Sequence, residues 1–153
     1  MKSPLIKTIV LGISAGMRTM APLAIVSTLF HKNKQRNLVD TKFNFIQSGL
    51  ASTLFDMAAL GELAADKSKN APDRTETTGI IGRALSGALV GATVYKASYR
   101  NPVNGAIIGA IAAIASTYIF FNLRKKLAHK TGNDKLLGLA EDVLAFTAVN
   151  VLK

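Results

Sequence analysis

The feature that most constrains this chain is an uncharged stretch of 23 residues, from Asn101 to Leu123. A helix of that length is about 34 Å long, enough to cross the ~30 Å hydrocarbon core of a bilayer. The composition agrees, because 49% of the residues are hydrophobic and only 18% are charged. The stretch therefore predicts an integral membrane protein.

Other apolar stretches separated by short polar segments predict the rest of the fold. Because backbone polar groups in lipid must bond within the protein, these stretches are expected to be helices. The sequence predicts an all-α, polytopic transmembrane helical bundle of about five helices, forming one domain over residues 1–153. The candidate spans are 8–30, 43–66, 77–95, 101–123 and 136–152. The last has 17 residues and either spans the bilayer or lies partly in its interface.

The first candidate span contains residues that disturb a helix. Pro22 lacks a backbone donor and clashes with the preceding turn, and Gly12 and Gly16 come shortly before it. We expect this helix to be kinked or broken near residues 16–22.

Glycines four residues apart recur in the apolar stretches. The pairs are Gly12/Gly16, Gly87/Gly91 and Gly105/Gly109. Such pairs let helix backbones approach closely, which predicts Gly/Ala-rich packing inside one bundle or, alternatively, the seam of a homodimer.

Several charged side chains fall inside the candidate spans, namely Arg18, Asp56, Arg83, Glu141 and Asp142. A charge at the bilayer centre costs at least about 2.5 kcal/mol, so these groups must pair, face water or reach the interface. They are either buried ion pairs that hold helices in register or the lining of a polar pathway. For Arg18 we predict a carboxylate partner, Glu62 or Glu141.

A second polar group lies around the end of the second span. Glu62 and Asp66 are four residues apart and share a helix face, and Arg74 follows in a short loop. Together they predict a site at the membrane surface. Glu62 and Asp66 are weak metal-ligand candidates, since two carboxylates do not define a metal site. The alternative is a solvated helix end among lipid head groups.

The formal net charge of +10 could indicate nucleic-acid binding in a soluble protein. Here Lys and Arg lie mostly between the apolar stretches, where they anchor helix ends and meet anionic lipid head groups, so no nucleic-acid partner is predicted. The chain has no cysteine, and no nucleophile–base pattern or cofactor motif occurs. An enzyme acting on a lipid phosphate is a minor hypothesis, and no cofactor is predicted.

With five spans, the N-terminus would share one side of the membrane with the second and fourth loops. Those segments carry 10 Lys and Arg residues against 7 on the other side. The positive-inside rule then places the N-terminus in the cytoplasm, by a small margin.

The sequence resembles the DUF4126 family of small bacterial membrane proteins. The resemblance is carried by three spaced motifs: Gly16, Arg18 and Pro22; Glu62, Asp66 and Lys67; and Pro72, Arg74 and Thr75. Residues 82–92 (GRALSGALVGA) and the Glu141-Asp142 pair complete it. The resemblance implies a multi-pass protein of the bacterial inner (cytoplasmic) membrane and no particular activity.

Two functions are consistent with these patterns. One is a small transporter or channel for an unidentified ion or solute, in which the intramembrane Arg and acidic residues line a polar pathway. The other is a non-catalytic membrane module that binds lipid head groups or a partner protein through the basic loops. A charge-lined cavity reaching mid-bilayer would favour the first, and a closed bundle the second.

Overall fold

The computed structural model of the chain describes residues 3–65, 77–131, 143–148 and 150. Within these ranges the regular structure is helical and no strand occurs, which confirms the all-α prediction. The α-helices are α1 (Pro4–Met17), α2 (Ala21–Lys32), α3 (Arg36–Val39), α4 (Gly49–Ala65), α5 (Thr77–Ala97) and α6 (Pro102–Thr131). A 3-10 helix covers Lys42–Gln47, and residues 143–147 are again helical.

The predicted break in the first span separates α1 from α2. Arg18 leaves the helical conformation, with φ −141° and ψ 120°, and its backbone N–H donates to the carbonyl oxygen of Ser14. Pro22 lies in the first turn of α2, where its missing N–H costs no helical hydrogen bond. Residues 18–20 therefore form a short non-helical segment, which we call the helix break.

The helices on either side of the break run in opposite directions along α5. Near the start of α1, Thr8 lies against Gly91, whereas Thr19 in the break lies near Gly82. After α2, the side-chain amide of Asn37 donates to the carbonyl oxygen of Ala97 at 2.7 Å. The chain thus runs from the C-terminal part of α5 to its N-terminal part and back again. Residues 8–30, expected as one span, are a helical hairpin whose two ends lie on the same side.

This hairpin defines two ends of the bundle. The proximal end contains the start of α1, residues 33–47 and the turn 98–101, and the distal end contains Ala65 and Thr77. Because the helix break returns the chain to the proximal end, Ser3 lies at the same end as residues 33–47 and at the opposite end from Ala65. The loop after α4 lies outside the described residues, so the side that it shares with the N-terminus stays a prediction.

Helix α4 runs antiparallel to α2 and carries the chain to the distal end. His31 packs against Gly49 at the start of α4, and the hydroxyl groups of Thr28 and Ser52 lie 3.0 Å apart one turn further on. Near the end of α4, Glu62 contacts the helix break. The predicted second span, 43–66, is therefore divided into a 3-10 helix and α4.

Helices α1, α5 and α6 pack closely through their glycines. A methyl group on Gly91 would collide with the carbonyl oxygen of Gly105, and one on Gly87 would lie 2.8 Å from the Cβ of Ala113. On α1, a methyl group on Gly12 would lie 2.7 Å from the Cβ of Ala112. These glycines serve packing within one chain. A dimer seam remains a prediction.

One helix in the described part of the chain is long and apolar enough to cross a membrane, Pro102–Leu123 within α6, with a mean hydropathy of 1.9. Its predicted start agrees with the structure to within one residue, but α6 continues past the predicted end to Thr131. The third span, 77–95, corresponds to α5. Most of the fifth, 136–152, lies outside the described residues.

Candidate functional site at the helix break

The helix break lies in the distal half of the bundle, where Arg18 is buried. The hydroxyl group of Thr117 on α6 donates to the carbonyl oxygen of Gly16, just before the break, at 3.2 Å. Thr117 is 15 residues after Pro102, so the break lies about 22 Å along α6 from the proximal end. Unpaired backbone groups at such a position would be costly, so their partners define the site.

Glu62 provides the partners for two backbone amides of the break. Its Oε1 accepts a hydrogen bond from the N–H of Thr19 and its Oε2 accepts one from the N–H of Met20, both at 2.8 Å. These groups immediately precede α2, where the helix dipole also favours a negative charge. Glu62 thus acts as a cap for α2 although it belongs to α4.

Hydroxyl groups from α5 and α6 bind the carbonyl oxygens of the break and of the last turn of α1. Ser86 donates to the carbonyl oxygen of Thr19, and Ser116 donates to that of Ile13 at 3.0 Å. The hydroxyl group of Ser14 in turn donates to the carbonyl oxygen of Ala145, at 2.9 Å. The break is thereby attached to α4 and α5, and the end of α1 just before it is attached to α6 and the helical segment 143–147.

Two arginines accompany these groups. Arg18, within the break, is 5% exposed, and Arg83, one turn before Ser86 on α5, is 9% exposed. Both residues make interactions in the structure. The predicted pairing of Arg18 with Glu62 or Glu141 stays a prediction, since Glu141 lies outside the described residues.

A groove extends from the proximal end along α2. It has a volume of about 460 Å³ and lies between α2, α4 and Phe146. Asp56 borders it, and both carboxylate oxygens of Asp56 lie 3.2 Å from the hydroxyl oxygen of Thr28. The intramembrane charge predicted at Asp56 is exposed at this groove rather than buried.

The structure therefore brings some predicted site residues together and leaves others aside. Arg18, Glu62 and Arg83 belong to the region of the helix break, whereas Asp56 borders the groove. Asp66, Arg74, Glu141 and Asp142 lie outside the described residues, so the surface site that combines Glu62, Asp66 and Arg74 stays a prediction. Within the described ranges, no group of three His, Cys, Asp or Glu side chains is arranged to hold a metal ion.

Sequence reasoning missed the hydroxyl groups. Ser86, Ser116 and Thr117 occur in small-residue stretches, where the spacing of glycine and alanine predicts close packing but no hydrogen bond. Their positions beside the glycines of α5 and α6 could have predicted these hydrogen bonds. A Ser or Thr on a close-packed helix face can donate to the backbone of the neighbouring helix.

The fold and the break define an all-α protein built on a helical hairpin that is held at its tip by carboxylate and hydroxyl side chains. The chain belongs to the DUF4126 family, described as a domain of unknown function, whose family model matches residues 5–152. Comparisons with curated proteins and with solved structures give no match.

Proposed function

We propose that this chain is a multi-pass protein of the bacterial cytoplasmic membrane that moves a small ion or polar solute across the bilayer. The observation that carries the proposal is the helix break, with its capping carboxylate, about 22 Å along the apolar helix α6. If α6 crosses a ~30 Å hydrocarbon core from Pro102, this break lies within the membrane.

The distribution of apolar side chains supports a membrane environment. Only 22% of the candidate span in α6 is buried inside the protein, whereas the core helix of a soluble protein would be mostly covered. Large apolar side chains also point outward from neighbouring helices. They include Leu50, Leu54, Met57 and Leu60 on α4, Ile81 and Leu85 on α5, and Val103, Ile107, Ile111 and Ile119 on α6. An apolar surface of this extent is unfavourable in water and is typical of a surface in contact with lipid.

The interrupted helix supports a transport role. Non-helical backbone at membrane depth is tolerated where protein surrounds it or where it lines a polar cavity. Transporters use such interrupted helices to place helix termini and free backbone groups at a solute site. Arg18, Glu62 and Arg83 add charged groups at this level, and intramembrane charges are costly enough to indicate a functional role.

The groove supplies an approach from the proximal end. Lys32 lies at the proximal end of α2, and Ala24, also on the groove, lies about 12 Å further along the helix. Ala24 is only one turn from Met20, whose amide binds Glu62. We propose that a solute enters along this groove and passes the break when Glu62 releases the amides of Thr19 and Met20.

Proteoliposomes test this function even though the solute is unidentified. Vesicles containing the protein are shrunk with potassium chloride, glucose or glycine, and light scattering follows the recovery of their volume. We expect faster recovery than in protein-free vesicles for at least one of these solutes. Glu62→Gln, which holds the amides of Thr19 and Met20 less tightly, should speed this recovery. Asp40→Asn, at an exposed proximal carboxylate, should leave it unchanged. Recovery equal to that of protein-free vesicles for every solute would contradict the proposal.

A second candidate function, the binding of anionic lipid head groups, is favoured by the charge of the proximal end. In the described ranges this end carries the basic residues Lys7, Lys32, Lys34, Arg36, Lys42, Lys96 and Arg100, and Asp40 is its one acidic residue. Exposed Phe45 and Tyr99 lie among them, at the level where aromatic side chains meet an interface. Such clusters attract anionic lipids by about 1 kcal/mol per basic residue.

Lipid retention tests the second function separately from transport. The protein is purified from an equal mixture of phosphatidylglycerol and phosphatidylcholine, and the retained lipids are quantified by mass spectrometry. We expect enrichment of phosphatidylglycerol. Replacing Lys34, Arg36 and Lys42 by Gln should reduce it more than replacing the distal Lys125 and Lys126. An equal loss in both variants would argue against a proximal lipid site.

A further inference from the structure

We infer that the groove between α2 and α4 binds a small zwitterion that carries an apolar group. The inference rests on the proposed function only for the step from binding to translocation, since binding itself requires no transport. It follows from the charges, lining and size of the groove.

The groove has two polar features of opposite sign. The carboxylate of Asp56 accepts from Thr28, and the ammonium group of Lys32 lies on the same helix as Thr28, one turn later. These two charged side chains do not form an ion pair with each other, and the hydrogen bonds described for Asp56 come from Thr28. One negative and one positive group therefore border the same space.

The remaining lining is apolar. Ala24, Ile25 and Leu29 contribute from α2, and Phe146 contributes from the C-terminal helical segment. A volume of about 460 Å³ lies in the range of small-molecule sites, which are typically apolar with a few polar groups that fix orientation. Phe146 also brings an aromatic ring to the groove, and ring faces attract ammonium groups.

This combination selects among small ligands by charge. A simple cation would be attracted by Asp56 but repelled by Lys32, and a simple anion would meet the reverse situation. A neutral apolar molecule would leave both charges without a partner. A ligand with an ammonium group, a carboxylate and an apolar side chain would satisfy Asp56, Lys32 and the apolar wall together.

Hydrogen bonding gives Asp56 a defined position. The hydroxyl groups of Thr28 and Ser52 lie 3.0 Å apart, so Ser52 can donate to Thr28 while Thr28 donates to Asp56. The chain of hydroxyl groups orients the carboxylate and leaves its remaining lone pairs for an ammonium ligand. Ser52 and Thr28 are positioning residues in this account, and Asp56 and Lys32 are the binding residues.

Calorimetric titration of the detergent-purified protein tests the inference with three probes of similar apolar shape. L-Leucine carries both charges, isoamylamine only the cation and 4-methylpentanoate only the anion. We expect saturable binding of leucine and at least about tenfold weaker binding of each analogue, because one charged side chain would then be left desolvated without a partner. Absence of leucine binding, or equal affinity for all three probes, would overturn the inference.

Two variants assign the charges. Asp56→Asn retains an oxygen that can accept from Thr28 but removes the negative charge, so we expect weaker leucine binding without weaker binding of 4-methylpentanoate. Lys32→Gln should weaken leucine binding without weakening that of isoamylamine. Lys34→Gln, an exposed neighbour outside the groove, is the control. An equal loss of leucine affinity in all three variants would contradict the assignment. If Asp56→Asn fails to fold, Lys32→Gln and the wild-type comparison still decide.

The two proposals fail in different ways. Leucine binding without movement of leucine, potassium chloride, glucose or glycine into proteoliposomes would support the groove site and refute transport. Solute movement that depends on Glu62, with no leucine binding, would refute the groove site and support transport.

Discussion

At the scale of single residues, the carboxylate of Glu62 accepts two backbone hydrogen bonds that carbonyl oxygens would accept in a continuous helix. A continuous helix would satisfy the amides of Thr19 and Met20 through the preceding turn, but the break at Arg18 removes those partners. Both oxygens of one carboxylate replace them at 2.8 Å. Hydrogen bonds that involve an ionised group are stronger than neutral ones, so this single side chain holds the tip of the hairpin.

Glu62→Gln tests this role. The amide side chain keeps one acceptor oxygen but presents an N–H₂ group to the other backbone N–H, so one buried amide loses its partner. We expect a loss of about 1–3 kcal/mol in the free energy of unfolding, the usual cost of an unsatisfied buried polar group. Thermal unfolding in detergent, followed by circular dichroism, should show a lower midpoint for Glu62→Gln than for Asp40→Asn. Equal midpoints would show that the carboxylate does not hold the break.

Arg18 gives a second test at the same scale. Arg18 is 5% exposed and makes interactions inside the protein, whereas Lys96 is partly exposed near the proximal end. Arg18→Leu removes a buried charge from its partner, which typically costs about 3–5 kcal/mol, while Lys96→Leu removes an interfacial charge of small effect. We expect a clearly larger drop in the unfolding midpoint for Arg18→Leu. Similar drops would mean that Arg18 has no buried partner of opposite charge.

The sequence predicted the location of the break but not its cap. Gly16 and Pro22 disfavour a continuous helix by local backbone chemistry, which can be read without the fold. The contact between Glu62 and Met20 joins residues 42 positions apart in the chain, and it depends on how α4 packs against α2. No local pattern around Glu62 specifies that packing, so the sequence placed this residue in a surface site with Asp66 and Arg74.

At the scale of helices, close packing of α5 against α6 follows from an antiparallel match of glycines. Gly91 faces Gly105 and Gly87 faces Gly109 across the contact, and the short turn 98–101 fixes this register. Gly109 also contacts Gly12, so α1 joins the same junction. Backbones this close can form weak Cα–H···O contacts, which recur where helices approach through glycine.

Gly91→Ala, with Gly61→Ala as its control, tests the glycine contact. A methyl group on Gly91 would strike the backbone oxygen of Gly105, which cannot move aside as a flexible side chain could. We expect a loss of about 1–3 kcal/mol of stability, typical of overpacking. At Gly61, on α4, a methyl group meets nothing within 4 Å, so the higher helix propensity of alanine should leave stability unchanged or raise it by up to about 1 kcal/mol. If both variants unfold at the same temperature, the close contact does not contribute to stability.

The direction of α2 could not be predicted from apolar length. Residues 8–30 are long enough for one span, and two half-length helices have the same composition as one continuous helix. Packing distinguishes the hairpin from one continuous helix. Thr8, before the break, and Asn37, after it, both contact the C-terminal part of α5, at Gly91 and Ala97. Composition therefore predicted helices and a break, whereas the hairpin required contacts between distant parts of the chain.

At the scale of the whole molecule, the hairpin changes which segments face the same side. Ser3, Lys34 and Arg100 all belong to the proximal end, because α2 returns the chain to where α1 began. Thr77, at the start of α5, and Lys126, in the last part of α6, belong to the distal end. A first helix that spans the membrane would instead place Ser3 and Lys34 on opposite sides.

Single cysteines resolve this question cleanly, because the natural chain has none to give a background. Each of these five exposed positions is replaced by Cys in turn, and a membrane-impermeant maleimide is applied to intact cells and to inside-out vesicles. We expect Ser3→Cys, Lys34→Cys and Arg100→Cys to react from the same side, and Thr77→Cys and Lys126→Cys to react from the other. Labelling of Ser3→Cys and Lys34→Cys from opposite sides would contradict the hairpin. It would show instead that residues 8–30 cross the membrane once. Labelling of every variant from both sides would indicate that the chain inserts in both orientations, as a weak Lys and Arg bias allows.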